Sequence, residues 1–163
     1  MKKVLVTGIS GYIGQHCAVE LLKDGYYVKG SLRDLERKDE VINGIKKEID
    51  PSENLEFVKL NLLSDEGWDD AVEGCESVLH VASPYFLREP INEDEYIKPA
   101  REGTLRVLKS AQKAKVKKVV LTSSFVAMMG KVLDSNEDTG TIDSESWTNE
   151  NSSNINTYMK SKT

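Results

Sequence analysis

The chain has 163 residues, 39% hydrophobic and 30% charged, which suits one soluble domain with a packed core. A net charge of −5 argues against a nucleic-acid or anionic-membrane surface, and no apolar run approaches the roughly 20 residues of a membrane helix. The apolar stretch after Met1 is too short for a signal peptide, and Cys17 and Cys75 stand apart without metal-binding spacing, so a disulfide framework or zinc site is not expected and a cytoplasmic setting is.

Lys3–Thr7 (KVLVT) is a β-branched run closed by glycine and reads as a buried strand. Ile13, Cys17 and Leu21 recur at helical spacing over 12–23, and Asp24-Gly25 ends that helix. A second strand is predicted over 26–32, a surface helix over 35–49, a third strand over 55–60 and a short helix over 65–72. A fourth strand follows over 77–82, then a long helix over 97–114 with Leu105, Leu108 and Ala111 on one face, then a fifth strand over 118–123. Residues 134–154, rich in Ser, Asn, Asp, Glu and Thr, read as a long loop, with helix resuming over 154–162. This alternation predicts an α/β fold with a parallel sheet covered on both faces.

Gly8-Ile-Ser-Gly11-Tyr-Ile-Gly14 lies between the first strand and the first helix. Glycines at this spacing permit a tight turn, close approach of a pyrophosphate and close packing of helix on sheet. The helix start, at Tyr12 and Ile13, offers free amide donors and partial positive charge to phosphate. His80 sits mid-strand between Leu79 and Val81 and reads as a packing residue; His16 carries no comparable signal.

Thr7 before that turn completes T-G-x-x-G-x-x-G, which resembles the extended short-chain dehydrogenase/reductase family. His80-Val-Ala-Ser-Pro84, Pro99-Ala-Arg-Glu-Gly-Thr104, Thr122-Ser-Ser124 and Tyr158-x-x-x-Lys162 follow in order. Together they resemble the branch containing dihydroflavonol, cinnamoyl-CoA and aldehyde reductases, across essentially the whole chain. The resemblance implies a doubly wound Rossmann sheet of order 3-2-1-4-5 and one dinucleotide-binding domain over 1–163. Family members run to about twice this length by the same resemblance. The expectation is therefore a domain incomplete at its C-terminus, before the last strands and the substrate lobe, that associates with another copy or with a missing second half.

An acid at the exit of the second strand holds the ribose of NAD, whereas an arginine accommodates the 2′-phosphate of NADP. Here the exit reads Ser31-Leu-Arg33-Asp34. The resemblance puts Arg33 on the 2′-phosphate with Lys38 adding charge, so NADP(H) is expected over NAD(H); the alternative leaves Arg33 in solvent and Asp34 on the ribose. Asn61-Leu62 stands where the family has Asp-Leu beside the adenine, and Asn61 reads equally well as a turn residue. The resemblance lays Val81, Ala82, Ser83 and Pro84 along the ribose and nicotinamide. Tyr85 and Phe86 are either walls of an apolar pocket or ordinary loop residues.

Reducing a carbonyl needs a proton donor, a cation that favours the donor's conjugate base, and a group that holds the carbonyl oxygen. The resemblance assigns these roles to Tyr158, to Lys162 one helical turn later (which also holds the nicotinamide ribose), and to Ser124. Strand alternation would send Ser123 and Ser124 to opposite faces, so only one is expected to serve. The expected function is NADP(H)-dependent reduction of an aldehyde, ketone or dihydroflavonol-like substrate. A nucleotide-sugar epimerase or dehydratase and a non-catalytic dinucleotide-binding module are the alternatives; HVASP and Arg33 speak against the former.

Overall fold

The structure is a computed structural model that describes residues 1–85, 90–134 and 141–163. Phe86 lies outside the described residues. The contacts divide the chain into two compact units, one of residues 1–83 and 102–122, the other of 84–101 and 123–163.

The first unit is a parallel five-stranded sheet in the order 3-2-1-4-5: β1 (Lys3–Thr7), β2 (Tyr27–Leu32), β3 (Leu55–Lys59), β4 (Ser77–His80) and β5 (Lys118–Leu121). Alternation along β1 explains its two cores. Val4 and Val6 face one way, into a cluster with α1 (Tyr12–Lys23) and α2 (Lys38–Ile45) through Ala18, Val19, Leu22, Val41 and Ile45. Leu5 faces the other way, with Val78, against Trp68, Ala71 and Val72 of α3 (Trp68–Val72) and Val107 of α4 (Asp94–Lys113). A one-turn helix, Leu35–Arg37, precedes α2.

Two sequence expectations change here. The buried stripe of α4 is Gly103, Val107 and Ala111, while Leu105 and Leu108 remain exposed. Gly103 permits this rotation: a Cβ there would come within 2.6 Å of Leu62 Cδ2, so a larger residue on this face would collide. The helix also starts earlier than expected, because Asn92 Oδ1 accepts the Asp94 amide at 2.9 Å and caps it.

The order places the reversal of strand direction of growth between β1 and β4, whose C-terminal ends pair Thr7 with His80. One hydroxyl fastens this junction. Thr7 Oγ1 accepts the amides of Val81 (3.1 Å) and Ala82 (3.0 Å) and lies 2.8 Å from His80 Nδ1. Two N–H donors fill its acceptor capacity, so its own proton goes to Nδ1 and the imidazole carries its proton on Nε2. Thr7 is 0% and His80 2% exposed, so no solvent can substitute.

The second unit holds the N-terminal part of α4, α5 (Val126–Asp134) and α6 (Thr157–Lys162). The sequence reading had no helix at 126–134. Thr148 fixes it from afar: its Oγ1 accepts the Gly130 amide (2.9 Å) and donates to Val126 O (2.8 Å). A side chain at Gly130 would collide with Thr148, its Cβ lying 2.4 Å from Cγ2. No helix among the described residues is long and apolar enough to cross a membrane.

Thr7→Val keeps the shape of the side chain but strands two amides and the imidazole nitrogen; it is expected to lose about 3 kcal/mol of stability in urea unfolding. Thr7→Ser keeps the hydroxyl and is expected to lose about 1 kcal/mol. Equal losses in the two variants would assign the effect to packing instead.

Candidate active site

In the first unit, β1 runs straight into the glycine turn. Gly8 has φ +71, and a Cβ there would lie 2.9 Å from Ala82 Cα, so both backbone and packing demand glycine. Gly14 is needed for packing alone: its Cβ would stand 2.3 Å from Gly8 O. Gly11 is different. Its φ of −82 suits any residue, and the nearest atom to a Cβ would be Gly8 O at 3.3 Å. The missing side chain there opens the mouth of α1 instead of relieving a clash.

The turn is held from below. Ile9 is fully buried and crosses β2 at Gly30, where a Cβ would lie 2.5 Å from Ile9 Cδ1. Ser31 Oγ accepts the Gly8 amide at 3.2 Å. Neither Gly30 nor Ser31 was singled out in the sequence; only their place at the end of β2, beside the turn, could have pointed to them. The amides of Tyr12 and Ile13, in the first turn of α1, have no acceptor among the described residues, and both side chains are exposed. This end of α1 therefore presents free donors where an anion would sit, which fits a pyrophosphate.

At the exit of β2, the side chains of Arg33 and Lys38 are exposed and have no ion-pair or hydrogen-bond partner among the described residues. Arg37 between them is engaged by Glu40 through both Nε and Nη2, each at 2.9 Å. Asp34 Oδ1 accepts the Glu36 amide at 3.0 Å and caps the one-turn helix. Past β3, Asn61 Oδ1 accepts the Leu63 amide at 3.0 Å, so its acceptor serves a turn. Leu62 is half-buried against Gly103. β4 ends at His80, and Val81, Ala82 and Ser83 leave the sheet as a half-buried segment beside Gly8. Cys75 is buried and burial pushes its thiol up, which makes it a core residue and not a nucleophile.

The second unit carries the candidate reacting groups. Asn156 Oδ1 accepts the Met159 amide at 2.9 Å and starts α6, whose buried Thr157 and Met159 turn Tyr158 to the half-exposed side. Lys162 Nζ lies over the Tyr158 ring, 5.4 Å from its centroid. Burial pulls the Lys162 ammonium below its ordinary value. Tyr158 packs edge-on against Tyr85 (5.4 Å between centroids) and Tyr96 (6.2 Å). Tyr96 is 2% exposed, a fixed wall that the sequence reading did not identify. Lys160 pairs with Glu93 at 2.9 Å, which ties α6 to the residues before α4.

Ser123 and Ser124 follow β5 outside the strand, so alternation does not separate them. Both line one open depression of about 390 Å³ with Phe125, Ala127, Met128 and Trp147. Ser124 is half-buried and its Oγ accepts the Val126 amide at 3.5 Å, while Ser123 is exposed. Thus the expected phosphate- and ribose-contacting residues up to Ser83 fall in the first unit, and Ser124, Tyr158 and Lys162 fall in the second.

The chain is similar to reductases. It is 41% identical over 126 residues to a cinnamoyl-CoA reductase of Medicago truncatula, covering 77% of this chain and 38% of that protein. It is 39% identical over 125 residues to a dihydroflavonol 4-reductase of Callistephus chinensis, covering 74% of this chain and 33% of that protein. Among solved structures, a yeast methylglyoxal/isovaleraldehyde reductase complexed with NADPH superposes with a TM-score of 0.83 at 27% identity, over 98% of this chain and 49% of that one. The chain thus spans about half, or less, of the length of these proteins. A model of the NAD dependent epimerase/dehydratase family matches residues 4–163, from the first buried valine of β1 to the residue after α6, and the chain belongs to that family.

Proposed function

We propose that this chain is the dinucleotide-binding part of an NADP(H)-dependent reductase that converts a small-molecule carbonyl to an alcohol. The observation that carries this reading is the Tyr158–Lys162 pair, with the ammonium held 5.4 Å over the phenol ring on a capped helix. Tyr158 donates its hydroxyl proton to the oxygen of the carbonyl as that oxygen gains negative charge. Lys162 stabilises the phenolate left behind and reaches the nicotinamide ribose. Ser124 donates a hydrogen bond to the same carbonyl oxygen and holds it in place. NADP(H), when bound, supplies the hydride; proton plus hydride completes the reduction.

The turn and the exit of β2 support the choice of nucleotide. The pyrophosphate rests on the Tyr12 and Ile13 amides, with Gly11 leaving room. Arg33 and Lys38, both without acidic partners among the described residues, take the 2′-phosphate, and Asp34 is engaged as a cap instead of on a ribose. The NADPH complex of the similar yeast reductase supports the same choice. Asn61 and Leu62 face the adenine and Val81, Ala82 and Ser83 line the ribose and nicotinamide in this reading. Small aldehydes, ketones and dihydroflavonol-like ketones are the substrate classes suggested by the relatives.

Calorimetric titration of NADPH and NADH tests the nucleotide: Arg33→Ala is expected to weaken NADPH binding about tenfold and leave NADH binding unchanged. Equal weakening of both would remove Arg33 from the 2′-phosphate. On a carbonyl panel, Tyr158→Phe is expected to lower turnover by about a hundredfold or more with NADPH still bound. NADPH binding by the wild-type chain without turnover of any carbonyl would favour a non-catalytic binding role.

Lys162 gives a stability test. Its folded-state value is lowered by burial, so its charged form opposes folding at neutral pH, and stability rises as pH climbs through that lowered value towards the unfolded one. Lys162→Met is therefore expected to leave Tm at neutral pH at or above wild type while turnover falls. A clear drop in Tm would make the lysine a structural residue.

A further inference from the structure

We propose that Gln15 is a positioning residue for the phosphate turn, seated in that role by Gly44; the proposal rests on the dinucleotide reading above. The backbone amide of Gln15 donates to Gly11 O at 3.0 Å, and its side-chain Nε2 donates to Ser10 O at 3.3 Å. One residue thus ties down two successive carbonyls of the turn. A carbonyl that swung outward would present negative charge to an arriving phosphate. With both held by Gln15, the outward groups are the free amides of Tyr12 and Ile13.

The far side of the Gln15 amide shows why it keeps this posture. A Cβ on Gly44, in α2, would stand 2.1 Å from Gln15 Oε1 and 3.2 Å from Cδ. The amide fits only because residue 44 has no side chain. Nothing else asks for glycine there: Gly44 is not among the glycines of positive φ, and it sits inside a helix, where alanine is the stronger helix former. The glycine weakens α2 and is accounted for by the neighbour it admits. Gln15 therefore joins the turn to α2, the helix that Lys38 opens five residues after Arg33. It governs how well the turn receives phosphate without touching the ligand.

Gly44→Ala separates this role from a structural one, because it strengthens the helix while displacing the end of a flexible side chain. In the full 163-residue chain, Tm is expected to hold or rise while NADPH binding weakens about fivefold to tenfold. Amide hydrogen exchange over residues 10–14 is expected to quicken. Gln15→Met, which keeps the length and loses the donor, should reproduce the weaker binding and the faster exchange. Wild-type NADPH affinity and unchanged exchange in both variants would overturn the proposal. If the wild-type chain binds neither NADPH nor NADH, the dinucleotide reading fails by itself; exchange then decides, faster in both variants supporting the tie and unchanged overturning it.

Discussion

The hydroxyl of Thr7 is the point on which the first unit turns. β1 is the central strand, and its last residue meets the last residue of β4 in register. A plain ladder would carry the pairing onward. Instead the Thr7 side chain accepts from the next two amides, those of Val81 and Ala82, and donates a hydrogen bond to His80 Nδ1. β4 stops there, and the freed segment runs past Gly8 at a distance only glycine allows. The turn, the start of α1 and the segment after β4 thus owe their relation to one buried side chain at the topological switch, where open α/β sheets hold their ligands.

Much of the fold was legible because it is written in local repeats. The alternation of Val4, Leu5 and Val6 with two flanking helical periods is enough to bury both sheet faces, while the strand order was expected from the family resemblance. What escaped was set by distant partners. α5 is nine residues, VAMMGKVLD, apolar on nearly every side and interrupted by Gly130; it offers no clear period, and Thr148, eighteen positions from that glycine, supplies its hydrogen bonds. The face of α4 was misjudged for the same reason. Gly103 has no hydrophobic weight in a pattern, yet only glycine lets that face pack against Leu62.

The candidate site divides in the same way. Arg33 stands out in the sequence as a cation after a strand. That Asp34 next to it caps Glu36, and that Arg37 is taken by Glu40, depends on a one-turn helix that nothing in the composition announces. Tyr158 and Lys162 are visible as a spacing of four, but the ring of Tyr96 against Tyr158 comes from more than sixty residues away. Ser123 and Ser124 were separated on the assumption that the strand continued through them; β5 ends at Leu121, and both reach the same depression.

Ile9 passing across Gly30 bears on the thermodynamics of anything that binds the turn. Loops that meet phosphate are commonly thought of as closing around it, which costs ordering entropy of about 1–2 kcal/mol per residue of backbone. Here a fully buried isoleucine in the middle of the loop pins it to the sheet. The freedom of that backbone is already lost when the core forms, so an arriving anion meets donors that are in place, and more of the contact energy remains as affinity. The same anchoring limits adaptation: a loop fixed from beneath cannot reshape itself for a ligand of different geometry, so any selectivity at this turn would follow from rigidity as much as from charge.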